Sequence, residues 1–164
     1  MLWSWILKNI PKKVSNWDIP PSAVLAFTTW GADKEDYFSF GFKGVVNEES
    51  KGLVASNRDR LTEWLESAVS KENFLGLQWL DQVHGVECFE IKKDNFGATL
   101  VGDAMWTNET GLGLAVLSAD CVPIVLAGED SGPIGICHAG WKGLVQDVPG
   151  ILAGEMTSCP SELS

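Results

Sequence analysis

"GLGLAVLSADCVPIVLAGEDSGPIGICHAGWKGL", residues 111–144, sets three apolar runs in succession, "GLGLAVL", "VPIVLAG" and "PIGICH", separated by "SADC" and by the turn-rich "GEDSG". Short apolar runs bounded by Gly, Asp and Ser read as buried strands joined by turns, so three strands are expected here. The following "WKGLVQDVPGILAGEM" (141–156) carries a helical pattern that Pro149 and Gly150 are expected to kink or interrupt.

Working outward, "SNRDRLTEWLESAVS" (56–70) has Ser56 as N-cap and Asp59 three residues on, with Leu61, Trp64, Leu65 and Val69 at helical spacing. Further strands are expected at "AVLAFTT" (23–29), "LGLQWL" (75–80) and "ECFEI" (87–91), with "DQVHG" connecting the last two and a long loop over 30–44. Strands mixed with two helices, without a regular βαβ alternation, predict an α+β fold.

The chain has 164 residues, 45% of them hydrophobic, which suits a single domain over 1–164. Twelve basic against twenty-two acidic residues give a net charge of −10, which repels phosphate backbones and anionic lipid surfaces, so neither nucleic acid nor membrane is an expected partner. In "MLWSWILKNIPKK" (1–13) the lysines follow the apolar stretch and no small-residue cleavage site comes next, so it reads as a mature N-terminus. Four scattered cysteines do not make a disulfide framework, and a reducing, cytoplasmic setting is expected.

The chemistry concentrates at few positions. The two histidines, His84 in "DQVHG" and His138 in "CHAGWKG", each sit where a strand-like run meets a glycine-marked loop, and Cys121 in "SADCVPI" stands at a similar boundary. Two imidazoles and one thiolate form a sufficient three-ligand zinc set that leaves a fourth position open. The same residues also allow a metal-free reading, with Cys121 as nucleophile, His138 or His84 as base, and Asp103 or Asp120 orienting the imidazole. Strand alternation points Cys137 away from His138 and into the core, and Cys88 and Cys159 are likewise expected to be structural. Trp141 is expected as a packing wall beside the site.

Taken together, "DQVHG", "GDAMWTNETGLGLAVLSADCVPIVL" and "CHAGWKGL" resemble, in order, the laccase-domain or polyphenol-oxidoreductase family, also described as YfiH-like purine nucleoside phosphorylases. The resemblance implies a mixed α/β sandwich with central sheet layers flanked by helices. It implies zinc held by His84, Cys121 and His138, with Cys121 and His138 also catalytic. The activity it implies is phosphorolysis of adenosine, inosine and methylthioadenosine to base and sugar 1-phosphate, with adenosine deamination as a second reaction. Arg58 and Lys142 are the expected phosphate-binding cations. Two histidines cannot supply both a blue-copper centre and a copper cluster, although copper in a His2Cys site is compatible with the donors.

The chain departs from the family pattern at Trp30, where an arginine is usual, and at Gly41, where an asparagine is usual. It also ends at Ser164, before the family's further C-terminal segment, which reads as a C-terminally incomplete domain. These departures motivate a non-enzymatic alternative, a degenerate member without turnover, beside the phosphorylase and the cysteine-hydrolase readings.

Overall fold

The computed structural model describes residues 12–13, 27–28, 40–41, 47–68, 74–128 and 132–158. Most of the strand expected at 23–29 and of the 30–44 loop, Trp30, Cys159 and the first eleven residues lie outside them. Packing divides the chain into two compact units, Met1–Glu63 and Trp64–Ser164.

The first unit contains an antiparallel pair, β1 (Lys12–Lys13) and β2 (Phe27–Thr28), in which Lys12 faces Thr28. Helix α1, Glu48–Ala68, starts in this unit and starts earlier than expected. Ser56 lies inside it, and the cap is Asn47, whose Oδ1 accepts the Ser50 N–H at 2.8 Å. Glu48 and Glu49 then stabilise the first turn, where the unpaired N–H groups carry partial positive charge, and Glu48 pairs with Lys51 at 2.7 Å.

The second unit holds two sheets. A parallel three-stranded sheet has the order β5 (Leu100–Val101), β3 (Gly76–Asp81), β7 (Leu112–Ala115). A mixed four-stranded sheet has the order β4 (Cys88–Glu90), β6 (Ala104–Thr107), β9 (Ile134–Ala139), β8 (Val122–Ala127), in which β4 and β6 are parallel and the other pairs antiparallel. The three expected runs thus form β7, β8 and β9, but β7 belongs to a different sheet from the other two. Strand β8 is only partly buried, with Val122 and Pro123 exposed.

The helical stretch after β9 divides into α2 (Trp141–Val145) and α3 (Val148–Thr157). The break falls before Pro149 and Gly150, because Pro149 occupies the first turn of α3, where its missing N–H has no intrahelical partner to lose. Asp147 caps α3 by accepting the Gly150 N–H at 3.2 Å.

The period of two along β6 builds the layers. Ala104 and Trp106 face α3 and share a buried cluster with Cys137, Ala139, Val148, Leu152 and Met156, whereas Met105 faces the opposite way into a cluster with Leu80, Ile91 and Leu112. The four-stranded sheet is therefore a middle layer, packed on α3 on one side and on the parallel sheet on the other. This is the mixed α+β sandwich that the motifs imply. Each fully buried aliphatic chain in it contributes about 1.5–3 kcal/mol relative to exposure.

Candidate metal centre

The site forms where β9, β6 and two loops end together. Along β9, Gly135, Cys137 and Ala139 belong to the α3 face, whereas Ile136 and His138 belong to the other. Cys137 is accordingly fully buried in the core, and His138, 4% exposed, turns toward the loop ends. Burial raises the Cys137 thiol to about 11, with the Asp103 charge adding to it. Burial also raises Cys88 to about 12, with Glu155 and Cys137 contributing. Thiols held that high are ionised to roughly one part in a thousand or less at pH 8. Iodoacetamide at pH 8 is therefore expected to label half-buried Cys121 while Cys88 and Cys137 stay unmodified, which peptide mass mapping reads directly.

Asp103, one residue before β6, organises the imidazoles. It is fully buried, and its Oδ1 accepts from His138 Nδ1 at 2.8 Å. Its carboxylate also accepts three consecutive backbone N–H groups, from Val83 at 3.1 Å, His84 at 3.0 Å and Gly85 at 2.7 Å. Burial by itself pushes the Asp103 carboxyl up, but the hydrogen bonds from His138, Gly85, Val83 and His84 together hold it below the ordinary carboxylate value. An ionised carboxylate only accepts, so His138 Nδ1 carries a proton and donates it to Asp103, which turns Nε2 toward another partner.

The same carboxylate supports an unusual turn. His84 adopts φ 62°, in the left-handed region that disfavours a side chain, and the three N–H groups converging on Asp103 hold it there. The metal-free reading offers Asp103 or Asp120 to orient an imidazole, with Asp120 the weaker because an extended strand points it away from its neighbour Cys121. Asp103 takes that position, while Asp120 Oδ1 lies 3.9 Å from Cys121 Sγ.

Cys121 comes to the site at the entry to β8, where Val122 pairs with Ala139 and the Ser118 hydroxyl donates to the Cys121 carbonyl. Its Sγ is 4.0 Å from His84 Nε2, and the two imidazole rings stand edge to face with centroids 4.7 Å apart. One ligand atom from each of His84, Cys121 and His138 lies within 4.8 Å of the others. Donors about 2.0–2.3 Å from one tetrahedral ion stand roughly 3.3–3.8 Å apart, so side-chain shifts of about 1 Å bring these three to zinc distances.

Gly140 completes the fit. A Cβ there would lie 2.9 Å from His84 Cδ2 and 3.2 Å from Cys121 Sγ, so only glycine lets the chain pass this close behind the three donors. The donor set, its carboxylate support and this space suit a bound metal, and zinc or copper are the ions such nitrogen and sulfur donors select.

The other expected residues are placed less directly. Lys142 is exposed on α2, with Nζ 5.8 Å above the Trp141 ring centroid. Trp141 is 71% exposed and is not the packing wall expected of it, because α2 places Trp141, Leu144 and Val145 on the outside while Gly143 faces the fold. Arg58 lies on α1 in the first unit, where its Nε donates to the Phe40 carbonyl at 2.7 Å and burial lowers its pKa. Gly41 is half-buried outside any helix or strand.

Residues 23–162 match the family described as multi-copper polyphenol oxidoreductase laccase. The chain belongs to this family. Among its laccase-family relatives, a protein named purine nucleoside phosphorylase from Xylella fastidiosa (strain 9a5c) is 34% identical across 98% of this chain and 60% of its own length. The purine nucleoside phosphorylase YlmD of Geobacillus stearothermophilus is 33% identical across 80% of this chain and 50% of its own. The crystal structure of YlmD superposes with a TM-score of 0.60 at 31% identity, over 73% of this chain and 44% of that one. Neisseria meningitidis NMB0706, at 24% identity and a TM-score of 0.68 over 86% of this chain and 55% of that one, shares the fold. The chain thus spans about half to three fifths of the length of the relatives it matches. Both histidines of the chain, His84 and His138, stand at the one candidate metal centre. Among the described residues no helix is long and apolar enough to cross a membrane.

Proposed function

We propose that this chain is a zinc-dependent purine nucleoside phosphorylase, which with phosphate converts adenosine, inosine and methylthioadenosine to free base and sugar 1-phosphate, and deaminates adenosine as a second activity. The observation that carries the reading is the convergence of His84, Cys121 and His138 ligand atoms within 4.8 Å, on a chain whose relatives are named purine nucleoside phosphorylases. In this reading the three side chains hold the ion, and zinc, when bound, supplies a Lewis acid that polarises an oxygen.

The protein's own residues do the rest. Asp103 fixes the His138 tautomer and the His84 turn, and Gly140 keeps the space behind the donors open. Arg58 and Lys142 are the cations assigned to phosphate, Lys142 as a point charge and Arg58 as a planar donor. A cytoplasmic location accords with this small-molecule chemistry.

A second reading, a metal-free Cys121 hydrolase, draws on the 4.0 Å separation of Cys121 Sγ from His84 Nε2. Against it, the carboxylate orients the other imidazole: Asp103 receives the ring N–H of His138. Metal content and phosphate-dependent release of hypoxanthine from inosine separate the two. The phosphorylase reading expects bound zinc, phosphate-dependent turnover lost on chelation, and Cys121 protected from alkylation by added zinc. Full activity of metal-free protein would remove zinc from the reaction, and a trapped acyl-Cys121 would establish the hydrolase.

A further inference from the structure

Gln82 lies two residues before His84, and its side chain reaches a segment 35 residues away. Its Nε2 donates to the Leu117 carbonyl at 2.8 Å, and its Oε1 accepts the Leu117 N–H at 2.6 Å. The ladder between β3 and β7 ends at Trp79 and Ala115. Just beyond that end, the Gln82 amide supplies one donor and one acceptor to Leu117, as a neighbouring strand would. Only a primary amide at this reach offers both groups at once.

Four residues after Leu117 comes Cys121, across a tight turn that the Ser118 hydroxyl closes onto the Cys121 carbonyl. The Gln82 clip therefore joins the loop bearing His84 to the segment bearing Cys121. Asp103 anchors the His84 loop to His138, and Val122 anchors Cys121 to β9 through Ala139. The clip is the contact that sets these two donors against each other from the upstream side. We propose that Gln82 is a positioning residue for the candidate metal centre, its amide clip to Leu117 setting the separation of His84 and Cys121. The proposal rests on the metal-binding reading of the site and adds to it a residue outside the three donors, acting through its hydrogen bonds to Leu117.

The test uses the full 164-residue chain, Co2+ alone as probe, and two variants. In the parent protein, Co2+ should give a thiolate-to-cobalt charge-transfer band from Cys121 together with tetrahedral ligand-field bands. Gln82→Ala removes both hydrogen bonds and is expected to weaken Co2+ binding about 10-fold and to reduce the charge-transfer band, as loss of a supporting contact around a metal site does. Gln82→Glu keeps an acceptor for the Leu117 N–H but sets a carboxylate against the Leu117 carbonyl, so an intermediate loss of about 3-fold or more is expected. A purely structural role would lower the unfolding midpoint and leave the band and the affinity of the folded protein unchanged, and that result overturns the proposal. If Gln82→Ala does not fold, parent-like affinity in Gln82→Glu overturns it instead. Absence of any charge-transfer band in the parent would sink the metal reading itself, and this proposal with it. A parent band that both variants reproduce sinks the Gln82 role alone.

Discussion

Cys121→Ala protein is expected to retain less than about a tenth of the parent's zinc after dialysis against a chelator, and to lose phosphate-dependent release of hypoxanthine from inosine at least ~100-fold. The thiolate is the one anionic donor among the three, so its loss leaves two neutral imidazoles whose ligand atoms converge on a position no longer neutralised. His84→Ala should behave alike, since His84 stands on an exposed loop. The informative contrast is Cys137→Ala. Cys137 is fully buried beside Ala104, Trp106 and Leu152, so that variant should lower stability by about 1–2 kcal/mol while keeping its zinc. Metal analysis and thermal unfolding of the variants separate a donor from a packing thiol. Full zinc retention by Cys121→Ala would mean that the site is not the one described.

That contrast was legible from "ICH" alone, because a strand's period of two must send Cys137 and His138 to opposite faces. The strands with clear turn punctuation, β3, β4, β7, β8 and β9, were legible for a related reason: apolar runs between Gly, Asp and Ser have few other uses. Strands β5 and β6 were not. "LV" is two residues long, and "AMWT" is buried at all four positions, so neither shows an alternation to read. The start of α1 was hidden because "EESKG" is polar and contains Gly52, and only the Asn47 cap marks it as helical. Trp141 was misjudged because a helix of one turn leaves the choice of outward face to packing, and Gly143 took the inner one. Of the site, both histidines and Cys121 were visible as boundary residues, whereas the role of Gln82 depends on an amide meeting a backbone 35 residues away, which no local pattern encodes.

Asp103 should show its importance in stability as well as in metal binding. Asp103→Ala leaves the His138 Nδ1–H, inside a nearly buried ring, and the Val83, His84 and Gly85 N–H groups without their acceptor. The left-handed backbone of His84 then loses the contacts that hold it. Loss of a buried charged acceptor of this kind costs about 3–5 kcal/mol, which makes Asp103→Ala the most destabilising single change expected at the site. Asp103→Asn keeps the volume and one acceptor oxygen, so its cost should be smaller and measurable in folded protein. The pH dependence carries the sign. Hydrogen bonding outweighs burial and holds the folded Asp103 carboxyl below its usual value, so its stabilisation is fully present above the unfolded pKa near ~3.9 and is lost as pH falls through the lower folded value. In metal-free protein, the stability difference between parent and Asp103→Asn should therefore shrink in the acid range below ~4. Denaturant unfolding at a series of pH values measures it. A difference that persists undiminished to the lowest pH at which both proteins fold would show that Asp103 acts there through its shape and not through its charge.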